Sequence, residues 1–516
     1  MLSSDIMLTK VLSATTYGLD AKIVEVETDL IGAQLPGFLI VGMAEKSIQE
    51  AKERVMSSIK NSDYAFPSKK VIINMAPAEM PKSGAQFDLA IAVGVLSAAG
   101  YTKVFPKQLF IGELALDGNL RAVSGAIAIA DMCRRLEIQE LFLPIENATE
   151  AALIPGLKVY GVQNLSDIVE HLNGSRIIPQ YEITIEDYLK DENFIYENDF
   201  ANIKGQNVAK RACEIAAAGA HNILLSGTPG SGKTMLARTL PSILPKMTFE
   251  ESIELTRIYS IAGLLSSEIP LITRRPFRSP HHTSSTVALI GGSKIPKPGE
   301  VSLAHRGILF LDEFPEFSVQ SLEALRQPLE DTRVTVSRIS GTITFPANFM
   351  LVAAMNPCRC GWKGDKAKKC ICSPSQIQMY QKKISGPILD RIDLQIIVPR
   401  VEINDLTDKT PNSETSANIL KRVQAARDIQ NTRYTGSNVV SNADIKQKDM
   451  DKFCPMSDEA MTLLTIAANK MNLSARSYFR VIKVARTIAD LAIVEIIQQE
   501  HIAEALQYRI ADDNGY

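Results

Sequence analysis

The chain has 516 residues, 45% hydrophobic and 22% charged, a balance ordinary for folded globular protein and too long for one compact domain. A net charge of −2 provides no global basic field, so any surface for nucleic acid has to be local. No apolar run reaches the roughly 20 residues of a membrane span, and the N-terminus lacks a basic segment followed by an apolar core. The expectation is a cytoplasmic protein, without a membrane partner, whose seven cysteines are thiols rather than disulfides.

In chain order, residues 1–175 mix strand-like runs (AKIVEVETDL, PGFLIVG, KKVIINMAP) with helix-like runs (SIQEAKERVMSSIKN, FDLAIAVGVLSAAG, GAIAIADMCRRL), which predicts an α+β unit. Residues 176–199 are rich in Asp, Glu, Asn and Tyr, have weak periodicity, and read as a linker. Residues 200–400 alternate strand and helix signals. NILLSG is a strand, GTPGSG a loop and KTMLARTLPSIL a helix; GILFLDE is a second buried strand, with SVQSLEALRQPLED helical after it. VTVSRISGTITFP reads as a hairpin turning at Ser340-Gly341, and FMLVAAMNP as a third buried strand. These are the parts of an α/β domain built on a parallel sheet. Residues 401–516 repeat Ala, Leu and Ile at helical spacing and predict a helical domain.

GTPGSGKT, residues Gly227, Thr228, Pro229, Gly230, Ser231, Gly232, Lys233 and Thr234, fits G-x-x-x-x-G-K-[ST] between a predicted strand and helix. Its glycines allow backbone N–H groups to curl around phosphate oxygens. Lys233 can reach the β- and γ-phosphates of ATP, and Thr234 can place its hydroxyl on Mg²⁺. GILFLDE puts Asp312 and Glu313 at the carboxyl end of a buried strand, the edge where open α/β sheets bind ligands. Asp312 is expected to hold Mg²⁺ through water and Glu313 to polarise the attacking water. Asn356 closes the third strand and can orient the same water; as an Asn before Pro357 it can also simply form a turn. Arg391 in GPILDRID and Arg476 in LSARSYFR complete the set. Phosphoryl transfer spreads charge over the γ-phosphate, which an arginine from a neighbour stabilises, and a cis arginine from a lid can report nucleotide state.

The runs IKGQNVAKRACEIAAAGAHNILLSGTPGSGKT, RPFRSPHHTSS, PGEVSLAHRGILFLDEF, LRQPLED, MNPCRCG and SGPILDRID resemble the magnesium-chelatase-like ATPases of the ComM/YifB type, over nearly the whole chain. The resemblance implies an AAA+ ring motor with a Lon-protease-like N-terminal domain and a helical C-terminal lid. It implies ATP-driven DNA branch migration, of helicase type, by a homo-hexamer acting on incoming DNA in natural transformation. By motif, Lys233, Thr234, Asp312 and Glu313 are the Walker residues, Asn356 is sensor 1, Arg391 the trans-acting finger and Arg476 sensor 2, with Arg480 a competitor for that role.

The first block is similar to the Lon proteolytic fold in MAPAEMPKSGAQFDLAIAVGVLSA and IGELALDGNLRAVSGAI. That chemistry needs a Ser nucleophile and a Lys base. Gln86 holds the nucleophile position, Ser83 reads as a turn residue, and no Lys lies between Gly118 and Arg135, so a domain without the dyad is expected, contacting DNA or neighbouring subunits.

Cys358-x-Cys360 and Cys370-x-Cys372 form a four-thiolate set suited to a structural Zn²⁺. Lys363, Lys366, Lys368, Lys369, Lys382 and Lys383 nearby either track phosphates or form a solvated face, and Trp362 either stacks on a base or packs in its loop. Arg274, Arg275, Arg278, His281 and His282 suggest a pore or subunit contact. Arg333 and Arg338 on the hairpin are candidate DNA contacts or solvated edge residues. A competing reading is a protein-remodelling AAA+ subunit related to metal-chelatase motors, with DNA irrelevant.

Overall fold

A computed structural model gives the fold and describes residues 8–32, 35–41, 46–78, 82, 84–184, 188, 196–266, 269–292, 296–338, 341–365, 368–401 and 414–509. Ser83, Ser340, Lys366 and the side chain of Arg338 lie outside the described residues.

The N-terminal part is built on a seven-stranded mixed sheet. Its strands are β1 (Thr9–Tyr17), β2 (Asp20–Ile31), β3 (Gly37–Val41), β4 (Lys70–Ala76), β5 (Gln108–Phe110), β8 (Glu140–Pro144) and β9 (Lys158–Val162), in the order β3-β4-β2-β1-β5-β8-β9. A two-stranded ribbon, β6 (Glu113–Leu114) with β7 (Leu120–Arg121), lies beside it. Val24 and Val26 alternate inward along β2, as a half-buried strand requires. The helix Asp88–Ala98 is buried along its whole length, so its apolar residues surround it instead of forming a stripe. It approaches β2 at Gly94, where a Cβ would stand 2.5 Å from Thr28 Oγ1. Phe110 and Phe142 stack with centroids 4.8 Å apart at the centre of this core.

The second sheet has five parallel strands, β10 (Ile223–Gly227), β11 (Phe277–Arg278), β12 (Ile308–Leu311), β15 (Met350–Met355) and β16 (Leu394–Val398), ordered β11-β12-β15-β10-β16. Strands β10, β12 and β15 are buried on both faces, which explains their continuous apolar runs. The C-terminal helices Ser416–Arg433, Asp458–Lys470, Ala475–Leu491 and Gln499–Gln507 do not stand apart as a separate body. Val423, Val481, Ile488 and Ile502 share one core with Ile223, Leu225 and the helix Asn207–Gly219. Among the described residues no helix is long and apolar enough to cross a membrane.

Strands β13 (Arg333–Arg338) and β14 (Gly341–Pro346) pair antiparallel, as the sequence predicts. Their described part packs one face on the body of the protein. Val334, Val336, Ile343 and Phe345 turn inward on a core that also takes Tyr17 and Leu19, while Thr335 and Thr344 face outward. Arg333 is exposed at the base, opposite Pro346.

The helix Phe249–Ala262 joins the two sheets. Ser260 Oγ accepts from Gly125 N at 2.9 Å and donates to the buried Glu150 carboxylate, which also accepts from Ile127 N at 2.9 Å. Burial raises the Glu150 carboxyl above the usual range, against these donors. Ser260→Ala leaves that carboxylate short of a partner inside the protein, and a loss of about 1–3 kcal/mol in unfolding free energy is expected. Denaturant titration against wild type measures it.

Candidate active site

The phosphate-type loop leaves the carboxyl end of β10 and enters the helix Lys233–Thr239. Gly230 and Gly232 have φ of 76° and 92°, left-handed conformations that a side chain disfavours, and both are open on the Cβ side. At Gly227 the constraint is space, because a Cβ would stand 2.4 Å from Val398 O. Thr228 Oγ1 and Ser231 Oγ are buried without a hydrogen-bond partner among the described residues. Such orphaned hydroxyls around a concave run of backbone suit a ligand rich in acceptor oxygens. Lys233 Nζ donates to Gly227 O at 2.7 Å, Thr228 O at 2.9 Å and Asn356 Oδ1 at 3.3 Å. Burial pulls its ammonium down to about 8, with Asp312 opposing.

Strands β10, β12 and β15 end side by side, so Lys233, Asp312 and Asn356 converge at one sheet edge. Thr234 Oγ1 donates to Asp312 Oδ2 at 2.9 Å. Glu313 follows with φ 51°, and its backbone N–H donates to Asp312 Oδ1 at 2.9 Å. Its carboxylate lies 3.1 Å from His282 Nδ1. Sequence reasoning gave Gln206 no role, yet its amide donates to Ser231 O at 3.2 Å and Pro399 O at 2.6 Å, tying the loop to the end of β16. A non-glycine residue in left-handed geometry just before a helix is the only local sign of it, and the sequence alone does not show geometry.

The basic run at 274–282 divides in the structure. Arg275 is half-buried and donates to Pro245 O, Arg306 O and the Glu251 carboxylate, and Arg278 forms a two-pronged pair with Glu300 at 2.7 and 2.8 Å. Both arginines brace the fold, which corrects the pore or subunit-contact reading for them. His281 lies against His282, with ring centroids 4.1 Å apart and the planes tilted by 34°, and His282 is the member that meets the site.

Arg391 and Arg476 meet each other instead of the loop of their own chain. Arg391 precedes Leu394, which pairs with Ile223 at the start of β10, whereas the loop leaves β10 at Gly227. The strand length, about 13 Å, lies between. Arg391 is 4% exposed and pairs with Glu330, whose other oxygen accepts from Arg476 at 3.2 Å. This corrects the reading of Arg476 as a lid arginine over its own nucleotide: a carboxylate with two acceptor oxygens collects both guanidiniums at the far edge of the sheet. Arg480 is held by Asp393, a buried carboxylate that also accepts from Asn222 N at 2.9 Å. Despite burial, Arg480 and His221 keep the Asp393 carboxyl far below the usual range.

The four cysteines gather in one loop after β15, with all Sγ atoms within 4.8 Å of one another. Backbone N–H groups of Trp362 and Ile371 hold the Cys360 thiol down, to about 6. Lys368 lies over the Trp362 ring, 4.3 Å from its centroid, and Lys383 pairs with Glu316 at 2.9 Å. That tryptophan face carries a lysine, which favours loop packing over base stacking. In the N-terminal part, the Gln86 amide donates to Thr15 Oγ1 at 2.9 Å at the expected nucleophile position.

Comparison with known proteins places these features in a family. A family model for magnesium chelatase, subunit ChlI, matches residues 199–406, a second for subunit ChlI of Mg-chelatase matches 24–147, and one for the ChlI C-terminal part matches 413–509. The chain is 43% identical to competence protein ComM of Haemophilus influenzae over 510 residues, 97% of each chain. It is 39% identical to YifB of Salmonella typhimurium over 498 residues, 96% of each. It is also 25% identical to a Lon protease of Leptospira interrogans over 162 residues, 30% of this chain and 19% of that one. The chain belongs to the ComM/YifB-type, magnesium-chelatase-like AAA+ family, with a parallel-sheet core, a Lon-like α+β N-terminal part and a helical C-terminal part.

Proposed function

We propose that this chain is an ATP-hydrolysing subunit of a homo-oligomeric ring, hexameric by family resemblance, that drives DNA branch migration. The supporting observation is the separation of two half-sites. Lys233, Thr234, Asp312 and Asn356 converge at one sheet edge, and Arg391 with Arg476 gathers at the other, so a complete site needs two copies. In the proposed division residues 1–175, 176–199, 200–400 and 401–516 are Lon-like domain, linker, motor core and helical domain.

The loop residues fit a triphosphate. The two orphaned hydroxyls and the amine of Lys233, now on two carbonyls of its own loop, are donors available to phosphate oxygens. Thr234 and Asp312 would hold Mg²⁺, which when bound neutralises phosphate charge. Glu313 would polarise the attacking water, Asn356 orient it, and Arg391 and Arg476 of an adjoining copy stabilise charge on the γ-phosphate. The four thiolates would hold a structural zinc.

The competence name of the Haemophilus relative favours incoming DNA in natural transformation as the substrate. The test is the ATPase rate and strand movement with forked DNA. Stimulation by DNA at low salt is expected; no stimulation and no DNA binding rejects the reading and favours a protein-remodelling motor.

Two smaller predictions follow from the site. Lys233 must be protonated to meet phosphate, and burial has brought it to about 8, so nucleotide binding takes up a proton above that pH. ADP affinity should fall by up to about tenfold for each pH unit above 8. Calorimetry in two buffers of different ionisation enthalpy reads the proton. His282→Ala releases the Glu313 carboxylate from an exposed pair worth at most about 1 kcal/mol, so basal ATPase should rise by no more than about fivefold. An unchanged or lower rate excludes a restraining role.

A further inference from the structure

The sulfur site and the nucleotide loop are in contact. Cys358, Cys360 and Cys370 have Sγ separations of 3.4, 3.5 and 3.7 Å. Sulfurs at the corners of a tetrahedron around zinc, each about 2.3 Å from it, are about 3.8 Å apart. A disulfide would bring a pair to about 2.05 Å. The loop therefore has the dimensions of a Zn(Cys)₄ site.

The same loop reaches the nucleotide machinery at two points. Its root is Asn356, which accepts from Lys233 Nζ and stands two residues before Cys358, itself fully buried. Its first turn, closed by Gly361 N donating to Cys358 O at 2.9 Å, sets Gly361 against the phosphate loop. A Cβ on Gly361, whose φ is 83°, would stand 2.7 Å from Pro229 Cγ and Cδ. Gln381 Nε2 donates to Pro357 O at 3.3 Å and fixes the same root from the following helix.

We propose that a zinc ion held by Cys358, Cys360, Cys370 and Cys372 is a clamp on the phosphate loop: it sets Gly361 against Pro229 and Asn356 against Lys233, so that metal occupancy controls nucleotide affinity. This rests on the ATP and zinc readings above and adds the coupling between them. The clamp acts by position, since the sulfur ligands leave zinc no open site for chemistry. Loss of the metal removes the bonds that hold the four sulfurs together, so the turn bearing Gly361 is no longer fixed against Pro229.

The experiment uses the full-length protein, with zinc measured by mass spectrometry, a fluorescent ADP analogue as the probe, and far-UV circular dichroism as the folding control. One zinc per chain is expected. Stripping it with a mercurial and chelator should weaken ADP-analogue binding at least tenfold while helicity is retained, and added zinc should restore binding. Gly361→Ala should keep its zinc and helicity yet bind the analogue at least tenfold more weakly, which decides the matter if the stripped protein unfolds. Absence of zinc overturns both the zinc reading and the clamp. One zinc per chain with unchanged affinity after stripping, or wild-type affinity in Gly361→Ala, overturns the clamp and leaves the zinc reading standing. No binding by the zinc-loaded wild type overturns the ATP reading and the clamp with it.

Discussion

Lys233→Ala is expected to lower ATP hydrolysis by at least about a hundredfold, the scale of removing one preorganised charge donor from a reacting centre, and to abolish movement of forked DNA. Lys233 Nζ spans two carbonyls of the loop and the Asn356 side chain, and among the described residues no other lysine donates to these groups. The variant should remain folded. Its main partners are backbone carbonyls at the open edge of the sheet, which water can satisfy once the amine is gone, and the adjoining Leu236, Leu225 and Ile223 core is untouched. Circular dichroism and thermal melting check that point, and single-turnover hydrolysis reads the chemistry. Glu313→Gln separates the steps: it should bind nucleotide like wild type and turn over slowly, because Glu313 lies outside the loop that would grip phosphate. Full branch migration by Lys233→Ala would remove the motor mechanism altogether.

The convergence of Lys233, Thr234, Asp312 and Asn356 at one sheet edge was legible in the sequence because it follows from local pattern. GTPGSGKT and GILFLDE each combine an apolar strand with the polar residues at its end, and a parallel sheet brings those ends together whatever lies between. Asn356 was legible for the same reason. Arg391 and Arg476 could be picked out by motif, but their mutual position could not. That depends on where β16 starts relative to β10 and on Glu330, a residue in a helix with no mark of its own. His282 was hidden because the run RRPFRSPHHTSS has several cations of equal standing, and only packing assigns Arg275 to carbonyls, Arg278 to Glu300 and His282 to Glu313. The hairpin shows the opposite failure. Alternation predicted two strands, and the burial of Val334, Val336, Ile343 and Phe345 against the core and the Tyr17–Leu19 turn is a tertiary fact that alternation does not carry.

Arg391→Ala is expected to reduce turnover by about a thousandfold or more while leaving nucleotide affinity nearly intact, the effect of withdrawing an arginine that acts only on transition-state charge. The structural cost should be moderate: Glu330 is half exposed and keeps Arg476 as a partner, so no carboxylate is left buried and unpaired. The decisive measurement mixes variants. Lys233→Ala chains lack the loop amine but carry Arg391; Arg391→Ala chains carry the amine but lack the arginine. If the two half-sites meet across a head-to-tail interface, random assembly of equal amounts completes about a quarter of the sites, and ATPase should rise well above that of either inactive parent. If Arg391 acts within its own chain, the mixture stays as inactive as its components. Glu330→Gln refines the result, because it frees both guanidiniums without removing either. Turnover that falls in this variant marks Glu330 as the residue that aims the pair, and turnover that rises marks it as a brake released when copies assemble.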